Sequence, residues 1–270
     1  GVATPAFLCS TSLGEDTGGS VRMPAAWCGV VGLKATWGRV SRYGLMRGVW
    51  SMDSVGPISR TVEDAAITFG AIAGHDPKDP YTWDVPVPDY RQALDGNIQG
   101  IKVGVIKEKV DSPLLDPEFR SAVTTALGVL GELGAQAEEV SLPLTEQAGF
   151  ISMALIFVEW AAVHRSTFEP NFQQLDHNNK YRFLTGAIIP AQAYYKAQKL
   201  RTLLRQQILD ALEKIDVLVL PGSHVTARPV ESEPGQGATF KVYMPAANGV
   251  PPAKGDQICR DDLDGCDETI

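Results

Sequence analysis

The chain has 270 residues, 44% of them hydrophobic, and a formal net charge of -8. That apolar content is enough for a sizeable core, in one large α/β domain or two smaller ones. The negative charge disfavours binding to nucleic acid through a general positive field, and leaves only a local basic patch, with three arginines between Arg39 and Arg47.

Taken in chain order, Gly1 to Pro57 is rich in glycine and small residues and reads as strands and tight turns, with one short helix near Pro24 to Cys28. Thr61 then caps a helix whose first turn carries Glu63 and Asp64 and which stops near Gly74. His75 to Asp89 is loop. The β-branched run Ile101 to Ile106 predicts a buried strand, Pro117 to Leu133 an amphipathic helix, and Glu139 to Leu142 another strand. Strand, helix, strand at this spacing gives a βαβ unit and an α/β sheet. Thr145 to Arg165, Asn171 to Gly186 and Ala191 to Lys214 read as helices, and Ile215 to Pro221 as a further buried strand.

This divides the chain at residues 1–226, one α/β domain, and 227–270, where Pro, Gly and charge rise and an irregular tail is expected. No stretch stands out as long and apolar enough to span a membrane; Glu159 interrupts the best candidate, which reads as a core helix. Of the four cysteines, Cys9 and Cys28 sit among apolar residues and are expected as buried free thiols, which fits a reducing, cytoplasmic setting. No Cys-x-x-Cys pair occurs, so neither a zinc site nor a thioredoxin-like motif is signalled, and no metal or cofactor is expected. His75, His164, His177 and His224 read as surface or capping residues, none in a Ser-His-Asp context.

The densest unusual segment is Asp16-Thr17-Gly18-Gly19-Ser20-Val21-Arg22. Paired glycines before a serine let the backbone turn sharply and bare successive N–H groups, a nest suited to a developing oxyanion. Alone, the pattern reads better as a polar turn before the Pro24 helix. The wider context decides: Gly14 to Lys34, then Gly38-Arg39-Val40-Ser41-Arg42-Tyr43-Gly44, then Asp53 to Ala66, form three ordered blocks. Together they resemble the amidase signature family, and the resemblance runs from Gly1 to about Pro221.

That resemblance implies a mixed sheet flanked by helices, here incomplete, and a Ser–cis-Ser–Lys triad hydrolysing a small-molecule amide. Ser20 takes the nucleophile's place. The amides of Thr17, Gly18, Gly19 and Ser20 would hold the oxyanion, with Asp16 and Arg22 bracing the loop. The family's bridging serine and lysine fall upstream of Gly1, and Lys34 is a different lysine. Two other readings stay open. One is the A subunit of a tRNA-dependent amidotransferase, whose complex would supply the link to nucleic acid; the other is a non-catalytic fragment that only binds.

Overall fold

The computed structural model describes residues 1–227. All but the first residue of the tail expected at 227–270 lie outside the described residues. Strands β1 (Thr11–Asp16), β2 (Val31–Gly32) and β3 (Ser54–Ser59) form an antiparallel sheet in the order β1-β3-β2. The central strand, β3, is buried at all positions but Val55. Gly56 is obligatory within it, because a side chain there would collide with the Leu33 carbonyl. Helix α1 (Arg22–Cys28) packs on this sheet through a cluster of Val21, Ala25 and Ile58. Helix α2 (Val62–Ile72) starts as the sequence predicts: the Asp64 amide donates to the Thr61 hydroxyl at 3.0 Å.

A second sheet is parallel, β4 (Lys102–Ile106) flanked by β5 (Gln136–Val140) and β6 (Val217–Val219) in the order β5-β4-β6. A short helix α3 (Lys107–Val110) follows β4, and α4 (Pro117–Glu132), capped by Asp116, makes the crossover. So the α/β class and the βαβ unit stand, with the strands divided between two ladders. Strand β5 begins three residues before its expected start at Glu139. Pairing starts as soon as Gly134 turns the chain, with the Gln136 amide donating to Ile101 at 2.8 Å. Its first residues are exposed and lack the β-branched signature that marks buried strands. Leu142 is outside the ladder, its amide donating to Glu108 at 2.9 Å. Strand β6 is shorter than expected and is an edge among the described residues, so Val217 is exposed rather than buried.

Three helices form a layer: α5 (Ala148–Phe168), α6 (His177–Ile188) and α7 (Ala191–Leu212). Helix α6 closes on α5 at Gly186, where a side chain would strike the Phe157 carbonyl. Helix α5 meets α7 through Ile151, Leu155 and Ala197, and α6 through Ala161, Phe168 and Phe183.

Three expectations are corrected. By length and composition alone, the stretch 143–168 is long and apolar enough to cross a membrane, since the single charge of Glu159 does not bring it below that limit. Its packing against α6 and α7 makes it a layer helix here. His164 is buried, not at the surface: it stacks on Phe168 with centroids 4.7 Å apart and lies against Trp160, and burial lowers its pKa, favouring the neutral ring. Its polar character masks an aromatic role on the inner face of α5. Cys28 is buried as expected, whereas Cys9 is only half-buried, near the amino end of the edge strand β1. His75, His177 and His224 are exposed.

Candidate active site

Strand β1 ends at Asp16, and α1 begins at Arg22. The bend between them, Thr17 to Ser20, carries the segment for which the family resemblance implies a nucleophile. Asp16 organises it. Its carboxylate has no accessible surface and accepts from the amides of Gly19 at 2.8 Å, Val21 at 3.2 Å and Arg22 at 3.3 Å. The Arg22 guanidinium adds a bidentate pair, Nε at 3.0 Å and Nη2 at 2.9 Å. Burial pushes the Asp16 pKa up, but the bonds and charge of Arg22, helped by Lys34, outweigh it and hold it at about 2. Gly19 sits at φ +131, a conformation that side-chain-bearing residues rarely adopt.

The loop's outer side is different. Ser20 and Gly18 are exposed, so a carbonyl can reach the hydroxyl. Among the described residues, Ser20 Oγ and the amides of Gly18 and Ser20 make no hydrogen bond. Of the four amides expected to hold an oxyanion, that of Gly19 donates to Asp16 inside the loop. Thr17 also has a bracing role, its hydroxyl donating to Asp53 Oδ1 at 2.7 Å.

Asp53 and its neighbours are the part that sequence reasoning missed. Asp53 is fully buried just before β3 and accepts from the amides of Gly48 at 2.8 Å and Val49 at 2.7 Å. It thereby ties the 48–53 loop to the 17–20 loop. Lys34 fills the space between: its ammonium donates to the carbonyls of Asp16 and Met52 and lies 3.7 Å from the Asp16 carboxylate. Burial lowers the Lys34 pKa, against the opposing pull of Asp16. Glu159 clips the same 48–53 loop to α5, accepting from the Ser51 amide at 2.9 Å and the hydroxyls of Ser51 and Tyr194 at 2.7 and 3.1 Å. A lone carboxylate inside an apolar helix is the signal that could have found it, since a buried charge requires partners.

Glu15 gives this network a pH dependence. Its carboxyl lies in β1 beside Asp53, with one oxygen buried and without a partner. Burial, then the neighbouring Asp53 carboxylate, push its pKa from 4.5 to about 7. The folded state therefore binds this proton more tightly than the unfolded chain does. The stability it contributes is full below about pH 4.5 and is lost as pH rises through about 7. His164, whose pKa is lowered, acts oppositely below its ordinary 6.5. We expect thermal melts between pH 5 and 8 to show Glu15→Gln losing less stability with rising pH than the parent. Parallel profiles would show that Glu15 is not protonated in the fold.

A family model described as Amidase matches residues 1–257. The chain belongs to the amidase family. Among curated relatives, the A subunit of glutamyl-tRNA(Gln) amidotransferase from Gloeobacter violaceus is 43% identical over 250 residues, covering 83% of this chain and 51% of the relative. Its counterpart from Moorella thermoacetica is 40% identical over 240 residues, covering 80% and 49%. Among solved structures, one comes from a vestigial protein complex bearing on the origins of an s-triazine catabolic enzyme. It aligns with a TM-score of 0.79 at 31% identity, covering 86% of this chain and 50% of that one. The glutamyl-tRNA(Gln) amidotransferase A subunit from Thermotoga maritima gives a TM-score of 0.70 at 31% identity, covering 86% and 51%. The chain thus spans about half the length of the curated relatives it matches.

Proposed function

We propose that this chain is the nucleophile-bearing part of an amide hydrolase that works through an acyl ester on Ser20. The observation that carries the reading is the two-sided loop. Its inner face is fastened by Asp16, while Gly18 and Ser20 are exposed and, among the described residues, the Ser20 hydroxyl and the amides of both have no hydrogen-bond partner. Ser20 Oγ attacks the amide carbonyl, and the oxyanion forms on those amides without the loop having to rearrange. The C–N bond breaks as the leaving nitrogen takes up a proton, and water then hydrolyses the ester.

A serine hydroxyl needs a base. The family resemblance assigns that base to a lysine acting through a second serine, both in the part of the relatives' length that this chain does not span. Lys34 does not fit that task, because its ammonium is engaged with two carbonyls and the Asp16 carboxylate.

The test is mass spectrometry of the full-length gene product after treatment with a fluorophosphonate. The adduct is expected on Ser20; modification elsewhere with Ser20 free would overturn the assignment.

One observation favours a narrower reading. The curated relatives at 40–43% identity bear the name of an amidotransferase's A subunit. If this protein plays that part, it will copurify with a partner protein, and its amide hydrolysis will supply ammonia to that complex rather than to solvent.

A further inference from the structure

Helix α5 lies against the nucleophile loop at one defined point. A Cβ built on Gly18 would stand 3.2 Å from the δ1 methyl of Ile156. One turn further along, a Cβ on Gly48 would stand 2.9 Å from the Trp160 ring. Between these, Glu159 holds the amide and hydroxyl of Ser51. Ile156, Glu159 and Trp160 follow the i, i+3, i+4 spacing that places side chains on one helix face. Glu159 and Trp160 therefore fix α5 against the 48–53 loop, and this anchorage sets Ile156 against the loop that carries the nucleophile.

Ile156 is half-buried while Gly18 is exposed, so the contact stands at the mouth of the site rather than in the core. The Cα atoms of Gly18 and Ser20 are two residues apart and so at most about 7 Å apart. A group attached to a carbonyl on Ser20, with its oxygen on the Gly18 amide, comes within reach of that methyl.

We infer that Ile156 is a specificity-determining residue, an apolar wall that selects amides with a compact apolar acyl group. This rests on the amide-hydrolase reading above. The acyl side is assigned by chemistry. The leaving nitrogen must receive a proton, so its side of the site needs a polar donor, which a hydrocarbon wall cannot supply. The acyl substituent needs no such donor and gains from apolar contact.

The test uses the full-length gene product and two series of anilides. In the first, the acyl group grows from acetyl through butanoyl and hexanoyl to benzoyl, with the amine fixed. In the second, the amine varies with acetyl fixed. Ile156→Val removes the δ1 methyl and Ile156→Ala most of the wall. The ratio of kcat/KM for benzoyl over acetyl is expected to rise by about 10-fold or more in Ile156→Ala, the range that one or two methylenes in a pocket produce. A smaller rise is expected in Ile156→Val, and no change across the amine series.

A uniform loss on all substrates, with the acyl ratio unchanged, would overturn the inference, because a residue that merely braces the loop behaves that way. A shift confined to the amine series would also overturn it. If Ile156→Ala does not fold, Ile156→Val decides on the same ratio. A parent protein that hydrolyses no anilide and takes no fluorophosphonate on Ser20 fails the functional reading itself, a result distinct from either of these.

Discussion

If the protein hydrolyses amides through Ser20 as proposed, Ser20→Ala will remove that activity from the full-length protein, with a loss in kcat on the order of 10⁴–10⁶-fold, and will leave its stability unchanged within about 0.5 kcal/mol. The two halves of this expectation have separate causes. The chemical half follows from covalent catalysis: without the oxygen there is no ester, and what remains is the effect of substrate binding and oxyanion stabilisation. The structural half follows from exposure. The side chain of Ser20 is open to solvent and makes no hydrogen bond among the described residues, so its removal strands no partner and opens no cavity. Steady-state kinetics and a thermal melt on the same preparation check both. A variant that keeps a tenth of the activity would show that another nucleophile does the work. A fall of many degrees in Tm would show that the hydroxyl is part of the loop's frame.

The elements most legible in the sequence are those that carry their signal locally. Thr61 with Glu63 and Asp64 marks a helix start, and the cap bond is there. Ile101 to Ile106 holds enough β-branched residues to declare a central strand, and β4 occupies 102–106. Edges are harder to read. Strand β5 starts earlier than its composition predicts, because its first residues face water and draw their pairing from β4. The loop at 17–20 is legible only through the three ordered blocks around it, since paired glycines and a serine alone also describe a turn, and Asp16 and Arg22 brace it as expected. The fate of the Gly19 amide is not legible, since only geometry shows that Asp16 reaches it. Asp53, Lys34 and Glu159 are hidden for the same reason. Their contacts to Thr17, Met52 and Ser51 reach across 36, 18 and 108 residues of sequence, made by the fold and not by any motif.

Replacing Asp16 with asparagine will do the reverse of Ser20→Ala, damaging the frame while leaving the nucleophile in place. The carboxylate accepts from three amides and twice from Arg22, all from within a six-residue span. Asparagine keeps one oxygen and turns an NH2 group toward donors, so at least one buried amide loses its partner. We expect a loss of about 2–4 kcal/mol, from unsatisfied buried donors and a broken ion pair. For a chain of this size that is a fall in Tm of roughly 5–15 °C.

Acid gives an independent measure of the same interaction. The Asp16 pKa lies at about 2 when folded, against an ordinary 3.8. The stability this carboxylate contributes is therefore present above about pH 3.8 and lost as pH falls through about 2, a difference of about 2 kcal/mol. Asp16→Asn should flatten that part of the acid profile. The decisive readout is fluorophosphonate labelling. With the Gly19 turn no longer held, Ser20 should label much more slowly in Asp16→Asn although its hydroxyl is intact. Labelling at the parent rate, in a protein that melts lower, would mean that the loop keeps its shape without Asp16. The oxyanion site would then have to be placed somewhere other than on the amides that this carboxylate organises.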